Sequence, residues 1–303
     1  MSDTDAEDAN TAEATNDDEA DGVDAVTAVS DLLTDPSHTS ATDLGDEVVE
    51  PPIEVDGLSI GTDADETIEG DNGNDTILAS GGDDVIDGMG GDDSLQGGDG
   101  ADWINAGAGN DEVFGNNNND TILGGAGSDS LQGSAGSDLI DGGADDDVVW
   151  GGLNDDTLVG GTGADTVFGG FGNDLISGVE IDGNAGDYLN GGNGDDTLIA
   201  GAEDVVTAGE GADNIVLGDW ITQGVAADVI DFDADEDDII LVYDDADGPP
   251  QLDLSPDPDA PEIMHVLMNG VTVAHVSGGA ALELTDLMVM PLSAAQDVGF
   301  APL

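Results

Sequence analysis

An all-β chain wound as a flattened parallel spiral is what the sequence predicts, and three observations predict it. From Gly61 to Ser177 the chain reads as thirteen contiguous nine-residue units, from GTDADETIE and GDNGNDTIL to GGTGADTVF and GGFGNDLIS. The eighth position is aliphatic in every unit, from Ile68, Ile77 and Ile86 to Val167 and Ile176, while the sixth is Asp in twelve units and Glu66 in the first. Glycine gathers at positions one, two and four, where a reversing chain needs positive φ or close backbone approach. A period this strict marks a repeat architecture in which each unit packs only on its neighbours.

Each position of the unit has a reading. Asn118, Asn154 and Asp145 replace glycine at position four, and Asn and Asp are the other residues that tolerate a left-handed backbone. Positions seven to nine predict a three-residue strand with one apolar side chain inward and its neighbours outward. One unit is then a turn plus a short strand, and two units make one coil of a flattened spiral.

The Asp at position six closes each turn. Stacking sets it near its equivalent two units away, roughly 5 Å along the spiral. Such a row of like charges is unfavourable unless something neutralises it. A hard divalent cation held by carboxylates and turn carbonyls does so, and Ca²⁺ suits a flexible site of six to eight oxygens. The pattern GGxGxDxUx resembles the calcium-binding nonapeptide repeat of RTX proteins, which Gram-negative bacteria secrete by type I export. The resemblance covers residues 61–216 and implies a parallel β-roll with Ca²⁺ between successive turns on each side. With one ion between unit n and unit n+2, thirteen units offer at most about eleven internal sites. The candidate ligands are Asp75, Asp84, Asp93, Asp102, Asp111, Asp120, Asp129, Asp138, Asp147, Asp156, Asp165 and Asp174, followed by Asp187, Asp196 and Asp213.

Composition excludes several classes of partner. The 303 residues include no Cys, Lys or Arg, and the formal charge is −71. Without Lys or Arg the chain cannot neutralise phosphates, which excludes nucleic acid and anionic membrane surfaces. Absence of Cys removes disulfides and thiolate metal sites. Solubility accounts for part of the acidity, at position five and in the tail, but not for an Asp recurring once in nine residues.

Residues 1–60 lack the repeat and are rich in Asp, Glu, Ala and Thr with almost no aromatics, which favours disorder around one short helix over Val23–Leu33. No basic segment followed by an apolar one suggests a Sec-type leader, and no apolar run is long enough to span a membrane. Pro51 and Pro52 mark a boundary. After Ser177 a four-residue insertion, Gly178–Ile181, breaks the register before units resume at 182–190, 191–199 and 208–216, with 200–207 one residue short. Residues 217–303 read as a β-rich cap that also carries the export signal the resemblance implies. There Ala227–Leu241 resembles the flank of such arrays, and Ile263–Val276 alternates about Asn269-Gly270, the strongest short hairpin signal. The segment 282–290 suggests a closing strand or short helix, and the terminal VGFAPL assigns no particular signal residues.

No catalytic constellation emerges. HExxH, GxSxG and the EF-hand loop are absent, the Gly-rich strings lack the Lys of a phosphate loop, and the sixty residues ahead of the repeat are too few for an enzyme domain. His38 is isolated, while His265 and His275 fall in the hairpin as structural histidines. Phe114, Trp150 and Phe168 share position nine of alternate units, with Gln132 between the first two, and so lie on one face of one sheet. Leu153 and Phe171 share position three of that stack. Cross-strand stacking is the plain reading, and an apolar patch for self-association or a surface partner is the sharper one. Position three is too irregular for ice binding. The expectation is a secreted, non-enzymatic calcium-binding roll with a disordered acidic N-terminal tail and a small cap, whose partners are calcium and the type I export machinery. An adhesin or scaffold is the alternative, and an enzyme with an unrecognised site a more distant one.

Overall fold

A computed structural model describes residues 53–55, 57–179, 185–218, 220–221, 225–246, 248–278 and 282–298. Of the expected tail over 1–60, residues 1–52, with the short helix and the Pro51–Pro52 boundary, lie outside the described residues, as do 180–184 of the inserted region and 299–303. Leu58–Ile60, by contrast, is a strand that pairs in parallel with Thr76–Leu78 and so belongs to the roll.

Among the described residues the chain builds two facing sheets of fourteen and eleven strands, and alternate units feed alternate sheets. Equivalent residues pair in parallel one coil apart, as in Leu131 with Val149 and Ile140 with Leu158. The position-eight side chains stack into one continuous core from Ile68 through Leu131 and Ile140 to Ile176, then Leu189, Leu198 and Ile215. Fully burying each such aliphatic side chain contributes about 1.5–3 kcal/mol. A single coil has no second layer to pack against, so this column forms only as the coils stack.

The strands are longer than expected. Most run six residues, as in Ser130–Ala135 and Val148–Leu153, from position seven through position three of the next unit. Two residues of each point inward, the aliphatic one and position one of the following unit, where Gly stands in most units and Ala79 and Ala106 in two. Apolar alternation does not reveal the second, because glycine has no side chain to display it.

Of the two purposes anticipated for glycine, position one serves close approach and not positive φ. Positive φ occurs at positions two and four, as in Gly98 at 124° and Gly100 at 138°. Asn118, Asp145 and Asn154 at position four take 74°, 77° and 78°, as their tolerance of a left-handed backbone leads one to expect. Position two admits Ser80, Met89, Asn116 and Ser134 at 72–88° in the same way. Position one is bare for room. A Cβ on Gly88 would stand 2.7 Å from the Asp93 carboxylate and 2.5 Å from the Ala106 carbonyl.

The insertion widens one coil without breaking the stack. Thr166 pairs with Tyr188 and Leu175 with Thr197, an offset of 22 residues where most coils take 18. The short unit closes with an offset of 17. Parallel pairing then continues through Ala227–Val229 and Asp238–Tyr243, one strand in each sheet. Ile263–Met268 and Val271–Ser277 form the expected antiparallel hairpin, with Asn269 and Gly270 both at positive φ. Leu252–Pro256 adds a further antiparallel strand. The segment 282–290 supplies a strand, Leu287–Pro291, at the end of the smaller sheet, and a short helix, Leu292–Asp297, follows it. A second apolar cluster forms outside the smaller sheet, where Ile199, Val216, Ile240 and Val242 are buried with Ala295 of that helix.

Candidate metal centre

The turns place every position-six carboxylate in one of two rows, one along each edge of the roll. The Asp120 amide donates to Asp138 Oδ1 at 2.8 Å, and the Asp138 amide donates to Asp156 Oδ1 at 2.8 Å. On the other edge Asp111 donates to Asp129 and Asp129 to Asp147, at 2.8 and 2.7 Å. Asp75, Asp84, Asp93, Asp102, Asp156, Asp165 and Asp174 donate in the same way to the coil that follows. Asp187, Asp196 and Asp213 extend the rows past the insertion. Each Asp carbonyl also accepts from the next coil, as Asp138 does from the Thr157 amide. All fifteen candidate ligands are thus gathered into two lines.

Glu66, Asp204 and Asp237 belong to the same rows, although the sequence reading left them out. Glu66 donates to Asp84 Oδ1, Asp187 to Asp204 Oδ1 and Asp213 to Asp237 Oδ1. Asp204 and Asp237 fall out of the nine-residue count, but each keeps the signature of the motif, an Asp followed two residues later by an inward aliphatic, Val206 and Ile239.

These lines are buried and lack compensating charge. The second oxygen of Asp84, Asp93, Asp102, Asp111, Asp120, Asp129, Asp138, Asp147, Asp156, Asp174, Asp196 and Asp213 is out of contact with water and accepts no hydrogen bond. Burial raises the carboxyl pKa values, to about 7 at Asp84 and about 8 at Asp120, Asp147 and Asp156. Hydrogen bonds from the preceding coil oppose that rise, and at Asp84 and Asp147 the neighbouring carboxylates add to it. A buried acceptor left without a partner costs about 1–3 kcal/mol, more when charged. A dozen such oxygens along two rows is a strong demand for a cation.

The surrounding donors fit calcium. Among the described residues no three His, Cys, Asp or Glu side chains converge to hold an ion by themselves, so a ligand set here needs backbone oxygens. The turns provide them, because the position-four carbonyls of Gly82 and Gly91 point at position four of the next coil, Gly100 and Gly109, and accept no hydrogen bond among the described residues. Carboxylate and carbonyl oxygen together form the hard, oxygen-only set that calcium takes.

Position five carries a third kind of row. The Asp65 carboxylate accepts from the Asp83 amide at 3.0 Å, Asp83 from Ala101 at 2.9 Å and Asp155 from Asn173 at 2.8 Å. Asn74, Asn110 and Asn119 accept likewise. These acids, read from sequence as solubilising charge, also tie one turn to the next.

The profile of the RTX calcium-binding nonapeptide repeat matches the chain at residues 60–95, 87–122, 96–131, 123–158, 150–179 and 181–215. No curated protein matches the chain. The matched segments cover about half of the sequence and all but the last link of the two carboxylate rows. By its repeats and its stacked turns, the chain belongs to the RTX calcium-binding nonapeptide-repeat family.

Proposed function

We propose that this is a secreted, non-enzymatic protein whose roll folds when it meets extracellular calcium. The observation that carries the reading is the double row of buried carboxylates with unpartnered second oxygens. The ligands in this reading are the fifteen aspartates from Asp75 to Asp213 named above, joined by Asp204 and Asp237, with position-four carbonyls completing each set. Calcium supplies the positive charge and oxygen coordination that these rows lack. The Asp amides and Oδ1 atoms hold one turn to the next, and the bare position one keeps Oδ2 uncovered. In a chain of formal charge −71 with no Lys or Arg, ion binding and folding become one event. Sites of ~10⁻⁴–10⁻³ M, typical of extracellular modules, would leave the chain unfolded at cytosolic calcium and fold it outside. In this scheme 1–60 is an acidic N-terminal segment, 61–216 the roll, and 217–303 a cap that also carries a type I export signal.

Asp138→Asn tests the ligand assignment. Its amide oxygen still accepts from Asp120, but a charge and a ligand are gone. The expected result by calorimetry is about one or two fewer bound calcium ions and a higher calcium midpoint. Asp63→Asn, at an exposed turn position, is expected to change neither. Equal stoichiometry in the two variants would remove Asp138 from the ligand set.

A second reading, an adhesin or scaffold, is favoured by one surface feature. Trp150 stacks on Phe168 with ring centroids 6.1 Å apart and planes within 8°, and Phe168 meets Tyr188 at 5.9 Å. Leu153 and Phe171, paired beside them, are 50% and 59% exposed. Phe114 lies on the same face, with Gln132 between it and Trp150. If this patch joins copies or a surface partner, Trp150→Ser lowers the calcium-bound size by light scattering while calcium affinity is kept. An unchanged size would leave the aromatic row a sheet-stabilising stack.

A further inference from the structure

The cap holds a side-chain cluster that the calcium sites do not use. In a chain without Lys or Arg, His265 and His275 are the only described side chains that can carry positive charge. They sit directly opposite each other on the two strands of the hairpin, with ring centroids 4.7 Å apart and planes tilted by 52°. The row continues across the sheet, with Asp228 opposite His275 on one side and Ser255 opposite His265 on the other.

His275 Nδ1 stands 2.8 Å from Asp228 Oδ1, and His265 Nε2 stands 3.2 Å from Asp257 Oδ2. Each imidazole thus has one nitrogen tied to a carboxylate. The other nitrogen, Nε2 of His275 and Nδ1 of His265, engages no hydrogen bond among the described residues. A carboxylate behind one ring nitrogen fixes the tautomer and orients the ring, as in metal-ligating histidines generally.

We propose that this pair chelates one borderline divalent ion of the zinc class through His275 Nε2 and His265 Nδ1, with water completing its shell. Geometry, chemistry and access each support the site. Two imidazoles bound to one ion at about 2.0–2.1 Å place their ring centroids about 4.5–5.2 Å apart for angles between about 90° and 109°. The observed 4.7 Å falls in that window. Nitrogen donors suit zinc, nickel and copper, whereas calcium takes oxygen, so the site is chemically separate from the carboxylate rows. The side chains are 24% and 39% exposed, which opens the pair to solvent, and the acidic surface concentrates divalent cations around it. With only two protein ligands, it falls below the three that a site built from side chains alone would show.

The test is a zinc chloride titration of the full chain in saturating calcium, carrying His38→Gln to remove the remaining histidine. One zinc per chain is expected above the weak background of surface carboxylates. His265→Gln or His275→Gln should weaken that site at least about tenfold, and Asp257→Asn about 10–100-fold, with the β signal unchanged. Equal zinc binding in the histidine variants, or no site of unit stoichiometry, would overturn the proposal. Should those variants fail to fold, imidazole ¹H–¹⁵N spectra of the parent chain decide. Both rings shifting together at one equivalent supports the chelate, and unshifted rings refute it.

Discussion

Gly100→Ala is expected to abolish calcium-driven folding or push it to far higher calcium, at a cost of at least about 3 kcal/mol. Gly100 holds φ at 138°, a conformation L side chains rarely adopt, and a Cβ there would collide with the Gly82 carbonyl, coming within 2.5 Å of its carbon. Both obstacles are backbone, so no rotamer change relieves them. The carbonyl concerned is one proposed to join a calcium site, which couples the steric clash to ion binding. Asn118→Gly is the matched control. Asn118 occupies the same place in its unit at φ 74°, and its replacement should alter stability by less than about 1 kcal/mol. Far-UV circular dichroism against calcium concentration reads both. Equal midpoints for the two variants would mean that the turns are looser than their stacked carbonyls imply.

In chelator, acid should do part of the work of calcium. The carboxyls of Asp93, Asp138, Asp174, Asp196 and Asp213 sit at about 6 and those of Asp84 and Asp129 at about 7, raised first by burial. Asp120, Asp147 and Asp156 reach about 8. The same groups in an unfolded chain titrate near 3.9. The roll therefore binds protons more tightly than the unfolded chain does, so lowering the pH favours it. The ionisation penalty is absent below the unfolded value and complete above the folded ones. Calcium-free β signal should accordingly rise as pH falls from about 8 to about 5. In calcium the trend reverses, because protons compete for the ligands, and the calcium midpoint should climb over the same range. A calcium-free signal that stays flat across this window would show that the carboxylate rows do not limit folding.

Much of this was legible in the sequence because the period is carried by side chains. The column from Ile68 to Ile176 and the aspartates at position six appear at their true spacing, and from them follow the roll, its two edges and the carboxylate rows. Asn118, Asp145 and Asn154 disclosed the left-handed turn position by being its tolerable exceptions. What stayed hidden is carried by backbone. The second inward position is a glycine, so neither strand length nor the space beside Asp93 Oδ2 could be read from apolar alternation. Asp204 and Asp237 were missed because a one-residue deletion and a longer connection shift them off the count, although stacking depends on coil-to-coil pairing and tolerates offsets of 17, 22 and 24. The position-five residues looked like surface charge, because an Asp bonded to the next turn's amide and one facing water are the same letter.

The most direct test of the account is far-UV circular dichroism during a calcium titration at neutral pH, with magnesium as control. Little β signal is expected in chelator, followed by a cooperative gain at sub-millimolar to millimolar calcium, about 10⁻⁴–10⁻³ M, that magnesium does not reproduce. A β signal already complete in chelator at neutral pH would contradict it, since the two rows of buried carboxylates would then be folding without the cation they are argued to require.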